Sequence, residues 1–242
     1  MKVNQAYVEI KGIPFLNTTH SELLQKYLVP SLLNENVFLV TANPEIVMEA
    51  DRDPEYAEIL RQADYVIADG IGVVIGSKLM RQPLPERIPG FEVMQDLLAQ
   101  ADREQLRCYF LGAKDTVLKK AINEIQKMYP RLIVSGYHHG YFELNDPEVV
   151  NTVKKAKPDI VFVGLGFPNQ EKWIHEFRNE FTHGLFMGVG GSIDGLAGDV
   201  KRAPVLWRKL NLEWFYRLIQ QPTRWKRMLQ LPRFIWHILL KK

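Results

Sequence analysis

The chain has 242 residues, 46% of them hydrophobic and 24% charged, with a formal net charge of +3. This length and apolar content support a packed core and exclude a globally disordered chain. A single cysteine, Cys108, excludes a disulfide framework and a cysteine-based zinc site. It lies in the apolar run Cys108-Tyr109-Phe110-Leu111, where a buried structural thiol is expected. The start, Met1-Lys2-Val3-Asn4, has no apolar signal-peptide core, and no stretch approaches the ~18 apolar residues of a spanning helix. The expectation is a chain that does not cross a bilayer but is free to lie on one.

In chain order, the first periodic segment opens with Thr19-His20-Ser21-Glu22, a capping-box arrangement, and runs as a helix to about residue 33. Residues 37–41 read as a strand that ends in Thr41-Ala42-Asn43-Pro44-Glu45. Asp53-Pro54-Glu55 places a cap before a first-turn proline and opens a helix to Arg61. A strand over 65–68 runs into Asp69-Gly70-Ile71-Gly72. Helices are predicted over 90–100, 114–128, 146–156 and 170–180, and strands over 107–111, 132–135, 160–164 and 185–189. The strands are rich in Val, Ile, Leu and Phe without polar alternation, the pattern of strands buried on both faces. Their alternation with helices predicts an α/β fold with a mainly parallel sheet, and ligands in such sheets bind beyond the carboxyl ends of the strands.

Three strand ends then carry the candidate chemistry: Thr41 and Asn43, Asp69, and the glycine turn Gly188-Val189-Gly190-Gly191-Ser192-Ile193-Asp194. Glycines let a backbone approach a phosphate, so Gly190, Gly191, Ser192 and Asp194 are candidate nucleotide contacts. Tight-turn formation is the other reading of these glycines, and neither Gly188-x-Gly190 nor Gly164-Leu165-Gly166 has the dinucleotide spacing. Asp69 suits two roles, the N-cap of a helix from Ile71 or a general base. Asp51-Arg52-Asp53 has the form of a metal-binding triplet but lies between two helical segments, with Asp53 already a cap, and no other cluster has metal-ligand spacing. The adjacent His138 and His139 read as loop residues. Arg87, in Pro85-Glu86-Arg87-Ile88-Pro89-Gly90, is a candidate counter-charge for a diphosphate or else an exposed loop arginine.

Composition breaks near residue 200. Residues 201–242 hold eleven of the 31 Lys and Arg and only Glu213 of the 28 acids, a segment of +10 against −7 for the rest. Four of five tryptophans, Trp207, Trp214, Trp225 and Trp236, fall there too. The expected organisation is a catalytic α/β domain over 1–200 and a basic helical appendage over 201–242, with Pro204, Pro222 and Pro232 each placed to open a short helix. Membrane docking, nucleic-acid binding and a merely solvated face all suit such a tail. Its apolar content (Leu229, Leu231, Phe234, Ile235, Trp236, Ile238, Leu239, Leu240) favours the membrane, and the acidic main domain disfavours nucleic acid.

Taken in order, Thr41-Ala42-Asn43-Pro44-Glu45, Ala68-Asp69-Gly70-Ile71-Gly72, Gly166-Phe167-Pro168-Asn169-Gln170-Glu171-Lys172-Trp173, Gly188-Val189-Gly190-Gly191-Ser192, Gly198-Asp199-Val200-Lys201-Arg202-Ala203-Pro204 and Leu212-Glu213-Trp214-Phe215-Tyr216-Arg217-Leu218 resemble the motifs of the WecG/TagA/CpsF glycosyltransferase family. The likeness spans essentially the whole chain and is strongest to the wall-teichoic-acid branch. It implies a Rossmann-like domain with a membrane-docking appendage, at work on the inner face of the plasma membrane. It further implies inverting, metal-independent transfer of N-acetylmannosamine from UDP-N-acetylmannosamine to the C4 hydroxyl of N-acetylglucosamine on undecaprenyl diphosphate, without a cofactor. Asp69 falls on the family's proposed base, Thr41 and Asn43 on its polar pocket partners, Arg87 on the diphosphate arginine and Gln170 on a donor-contacting glutamine. Arg217, Arg224 and Arg227 fall on appendage arginines proposed to reach the lipid diphosphate. Ile88 departs from the small residue that many relatives have before the glycine, which bears on loop shape. Transfer of N-acetylmannosaminuronic acid or glucose, and a non-catalytic membrane-bound nucleotide module, are the rival readings; homo-oligomerisation is left open.

Overall fold

The computed structural model describes residues 6–198, Ala203, Pro204, Trp207, 213–220 and 230–240. Among these, β1 (Tyr7–Ile10) and β2 (Ile13–Leu16) form an antiparallel hairpin, with Ile10 opposite Ile13. Its two-residue turn, Lys11 and Gly12, has φ of 51° and 78°, the left-handed pair that matches strand twist. A helical run follows as α1 (His20–Glu22), a π-helical stretch Leu23–Leu28, and α2 (Val29–Ser31). Thr19 and Glu22 make the expected capping box.

The main sheet contains β3 (Asn36–Ala42), β4 (Tyr65–Ala68), β5 (Arg107–Gly112), β6 (Ile133–His138), β7 (Ile160–Gly164) and β8 (Gly184–Gly188), in the order β4-β3-β8-β7-β5-β6. All five pairings are parallel. The helices between are α3 (Pro44–Ala50), α4 (Pro54–Arg61), α5 (Ile71–Leu79), α6 (Gly90–Glu104), α7 (Asp115–Met128), α8 (Pro147–Lys155), α9 (Asn169–Phe177) and α10 (Ser192–Leu196). This is the α/β architecture that the alternation predicts, with each of the six strands in place.

Alternation along each strand splits the core in two. Phe38, Val40, Tyr109 and Leu111 join one buried cluster with α3, α4, α5, α8 and α9. Val37, Leu39, Cys108 and Phe110 join the other with α6, α7 and α10. Both faces are thus covered, as parallel sheets require. Cys108 is fully buried, and burial pushes its thiol well above the ordinary range, so it is a structural residue.

The composition break at residue 200 is not a packing break. Among the described residues the tail forms two helices, Glu213–Gln220 and Gln230–Leu240. The second lies in a notch on α5. Gly72 and Gly76 are one turn apart on α5, and Leu231, Phe234 and Ile238 fill the space where their side chains would be. A Cβ on Gly76 would meet the Phe234 ring at 2.8 Å. Phe234 and Ile238 are buried in the same cluster as β3, and His237 comes within 3.7 Å of Asp51. Leu231, Phe234 and Ile238 therefore pack on the domain, while Trp236, Leu239 and Leu240 stay exposed. Among the described residues no helix is long and apolar enough to cross a membrane.

Replacing Gly76 by leucine should eject this helix, since overpacking a filled contact costs about 1–3 kcal/mol. A lower thermal midpoint with faster proteolysis of residues 230–240 is the expected result, and a variant that melts like the wild type would show that the notch is not what holds the helix.

Candidate active site

Asp69 follows β4 directly. Its backbone N–H donates to Ala42 O (3.0 Å), which seats it beside the end of β3. Its side-chain Oδ1 accepts from the backbone N–H of Gly90 (3.0 Å), the first residue of α6. The carboxylate thus sits at the amino end of a 15-residue helix, where the helix dipole favours negative charge. The other role legible in sequence, N-cap of α5, does not form: Gly70 holds that position and the Asp69 side chain is turned to α6 instead. Asp69 is half-buried and so retains an accessible edge.

The backbone on either side of Pro89 is pinned to the same strand end. Ile88 N donates to Ala68 O (2.9 Å), one residue before Asp69. Arg87 is thereby placed beside the strand end that carries the carboxylate, half-buried and with its Nε enclosed. An exposed loop arginine, the plainer reading of the sequence, is not what the fold makes of it.

Thr41, at the end of β3, is buried and donates its hydroxyl to Gly188 O (3.1 Å). It also packs against Gly90, where a Cβ would come within 2.9 Å of the threonine Cγ2. Thr41 therefore ties the start of α6 to the end of β8. Asn43 caps α3, its Oδ1 accepting from Ile46 N (3.0 Å), and stays half-exposed.

The glycine turn after β8 is supported from below. Gly190 has φ of 50° and donates its N–H to Gln170 Oε1 (3.0 Å). Gln170 Nε2 donates to Glu171 Oε1 (2.6 Å), and Tyr56 OH donates to Glu171 Oε2 (3.0 Å). Gln170 and Glu171 are both buried. The glutamine expected to contact the donor thus spends both ends of its amide inside the protein. Gly191 caps the five-residue α10, Ser192 opens it, and Asp194 is in its first turn; Gly190, Gly191, Ser192 and Asp194 all reach the surface in part. Gly195 of α10 sits against the Phe91 ring, next to Gly90, so the turn and the Asp69 corner share one wall.

The remaining candidates resolve simply. Asp51 pairs with Lys11 (2.8 Å), and Asp53 caps α4 by accepting from Tyr56 N (3.1 Å). His138 Nδ1 lies 2.8 Å from the carbonyl of His139. No group of three metal-ligating side chains exists among the described residues. Arg217 lies on the helix Glu213–Gln220 with its side chain outside the described structure, and Arg224 and Arg227 lie outside the described residues. Sequence reasoning missed Tyr56 and Glu171 as the buried partners that back Gln170. The available signal was a carboxylate on the same α9 face as Gln170 and Ile174, an acid where an apolar residue belongs.

Burial pushes the Glu171 carboxyl above its ordinary value of 4.5, while hydrogen bonds from Gln170 and Tyr56 pull the other way. The fold therefore favours the neutral acid. Its contribution to stability is full below pH 4.5 and declines as pH rises through the folded-state value. Relative to the wild type, a Glu171→Gln protein should melt progressively higher as pH is raised above 4.5. A difference in midpoint that does not move with pH would contradict this.

Comparison with known proteins agrees with the geometry. The model of the glycosyl transferase WecG/TagA/CpsF family matches residues 8–242. Curated relatives from Staphylococcus aureus strains MW2 and NCTC 8325 / PS 47 are 42% identical over 241 residues, covering 99% of this chain and 94% of theirs. Both are named N-acetylglucosaminyldiphosphoundecaprenol N-acetyl-beta-D-mannosaminyltransferase. A parallel sheet whose strand ends gather a carboxylate, an arginine and a glycine turn, with a family match over nearly its full length, makes this chain a glycosyltransferase of the WecG/TagA/CpsF family.

Proposed function

We propose that the chain transfers N-acetylmannosamine from UDP to the C4 hydroxyl of an N-acetylglucosamine carried on undecaprenyl diphosphate, with inversion at the anomeric carbon. The relatives' activity supports the acceptor and the sugar. The observation that carries the chemistry is Asp69, half-buried at a strand end and backed by the amino terminus of α6. Asp69 takes the proton of the acceptor hydroxyl as the new bond forms, and the bond to the UDP oxygen breaks in the same displacement. Arg87, held beside that strand end, meets the charge that grows on the departing diphosphate, and a guanidinium suits this because it binds phosphate in a bidentate fork. With that counter-charge the reading needs no divalent ion. The partly exposed glycine turn, with Ser192 and Asp194, holds the nucleotide.

Asp69→Asn is the discriminating variant. Its side-chain oxygen still accepts from Gly90 N, so the corner keeps its shape while the base is lost. The kcat should fall by about 10²–10⁴-fold, with UDP affinity nearly unchanged. Release of UDP from a panel of UDP-sugars mixed with short-chain lipid-diphosphate N-acetylglucosamine measures it, in buffer containing EDTA. Near-normal kcat in Asp69→Asn removes the base assignment, and turnover only with another donor moves the substrate assignment within the family.

We also place the enzyme on the inner face of the plasma membrane, docked by residues 201–242. Phe215 and Ile219 on one tail helix and Trp236, Leu239 and Leu240 on the other are exposed, in a segment of +10. Each basic residue near an anionic surface contributes up to ~1 kcal/mol. Replacing Trp236, Leu239 and Leu240 by serine should reduce co-sedimentation with phosphatidylglycerol vesicles at unchanged melting temperature, because the buried Phe234 and Ile238 are untouched. Undiminished sedimentation would assign the surface another role.

A further inference from the structure

The amide of Gln170 has its orientation imposed. The backbone N–H of Gly190 can only donate, so the carbonyl oxygen of Gln170 must face it, at 3.0 Å. The amide NH2 then points inward and needs an acceptor. Glu171 supplies it at 2.6 Å, and the second oxygen of Glu171 accepts from Tyr56 OH at 3.0 Å. Gly188 completes the fit, since a Cβ there would lie 2.7 Å from Gln170 Nε2 and 3.2 Å from Glu171 Oε1. The chain of contacts runs from α4 through α9 to the turn after β8, and each member but the last is buried.

We propose that Glu171 is a positioning residue for donor binding, and that through Gln170 it sets the direction of the Gly190 amide and with it the shape of the turn that receives the nucleotide diphosphate. This rests on the donor-site reading given above. Glu171 itself never touches the donor. Its job is to make one of the two amide orientations of Gln170 unavailable: rotated by half a turn, Gln170 would set its NH2 against the Gly190 N–H and its oxygen against the glutamate oxygen.

The full-length chain tests this with three variants. Glu171→Leu removes the acceptor at similar volume. Gly188→Ala presses on the contact between Gln170 Nε2 and Glu171 Oε1. Glu171→Gln keeps an oxygen for the Gln170 NH2. The first two should raise the Kd for UDP by calorimetry and the KM for the UDP-sugar about tenfold, the scale of one well-placed hydrogen bond, with a smaller change in kcat. Glu171→Gln should restore most of the affinity. A merely structural role predicts lower melting temperatures with KM unchanged. If Glu171→Leu does not fold, Gly188→Ala and Glu171→Gln decide. Wild-type UDP affinity in Gly188→Ala, or in Glu171→Leu, overturns the proposal, as does a Glu171→Gln protein with affinity as weak as the tenfold loss expected of Glu171→Leu. A wild-type chain that binds no UDP sinks the donor-site reading, and this inference with it.

Discussion

The hydroxyl of Thr41 reaches across from β3 to the carbonyl of Gly188 on β8, and its methyl lies against Gly90 at the head of α6. Three chain segments meet there, and the approach of Thr41 to Gly90 admits no side chain at that glycine. That closeness lets the Asp69 carboxylate reach the Gly90 amide from one side while Gln170 lies under the turn from the other. A methyl group at Gly90 would push the head of α6, which holds the Asp69 carboxylate, away from Thr41. Close packing is thus the first requirement of the site, and charge acts within the space it leaves.

Two carboxyl groups then sit in opposite environments. Asp69 lies at a helix amino terminus, half-exposed, where the anion is favoured. Glu171 lies fully buried with hydrogen-bond partners that are a tyrosine and a glutamine, and burial favours the neutral acid. One environment suits a group that accepts a proton, and the other suits a group that orients its neighbours. Burying a polar chain such as Tyr56–Glu171–Gln170 is costly unless each member is satisfied, and here the backbone of the turn supplies the last partner.

The tail helix Gln230–Leu240 is packed onto this core. It packs on α5, which begins two residues after Asp69, through a notch cut by Gly72 and Gly76. Its outer face carries Trp236, Leu239 and Leu240. A helix with one apolar face on the domain and another in solvent links a surface contact to the helix next to the proposed base by direct packing.

The six sheet strands and most helices were legible because their signal is local: uninterrupted Val, Ile, Leu and Phe in the strands, and caps such as Thr19 and Asp53 at the helix starts. The hairpin at residues 7–16 and the helix Pro44–Ala50 also carried local signals, the alternation around Lys11-Gly12 and the Asn43-Pro44 cap, but short elements give few periods to read. The motifs pointed to Thr41, Asn43, Asp69, Arg87 and Gln170 as a group. They did not separate the side chains that face the cleft from those that brace it. Whether Asp69 caps α5 or accepts from α6, whether Gln170 reaches outward or under the turn, and which apolar side chains of the helix Gln230–Leu240 are buried all depend on contacts between residues distant in the chain. The elements and the residue types at the strand ends can be read along the chain, since both follow from neighbouring positions. Side-chain orientation cannot, because hydrogen-bond partners and packing faces are supplied by other segments of the fold.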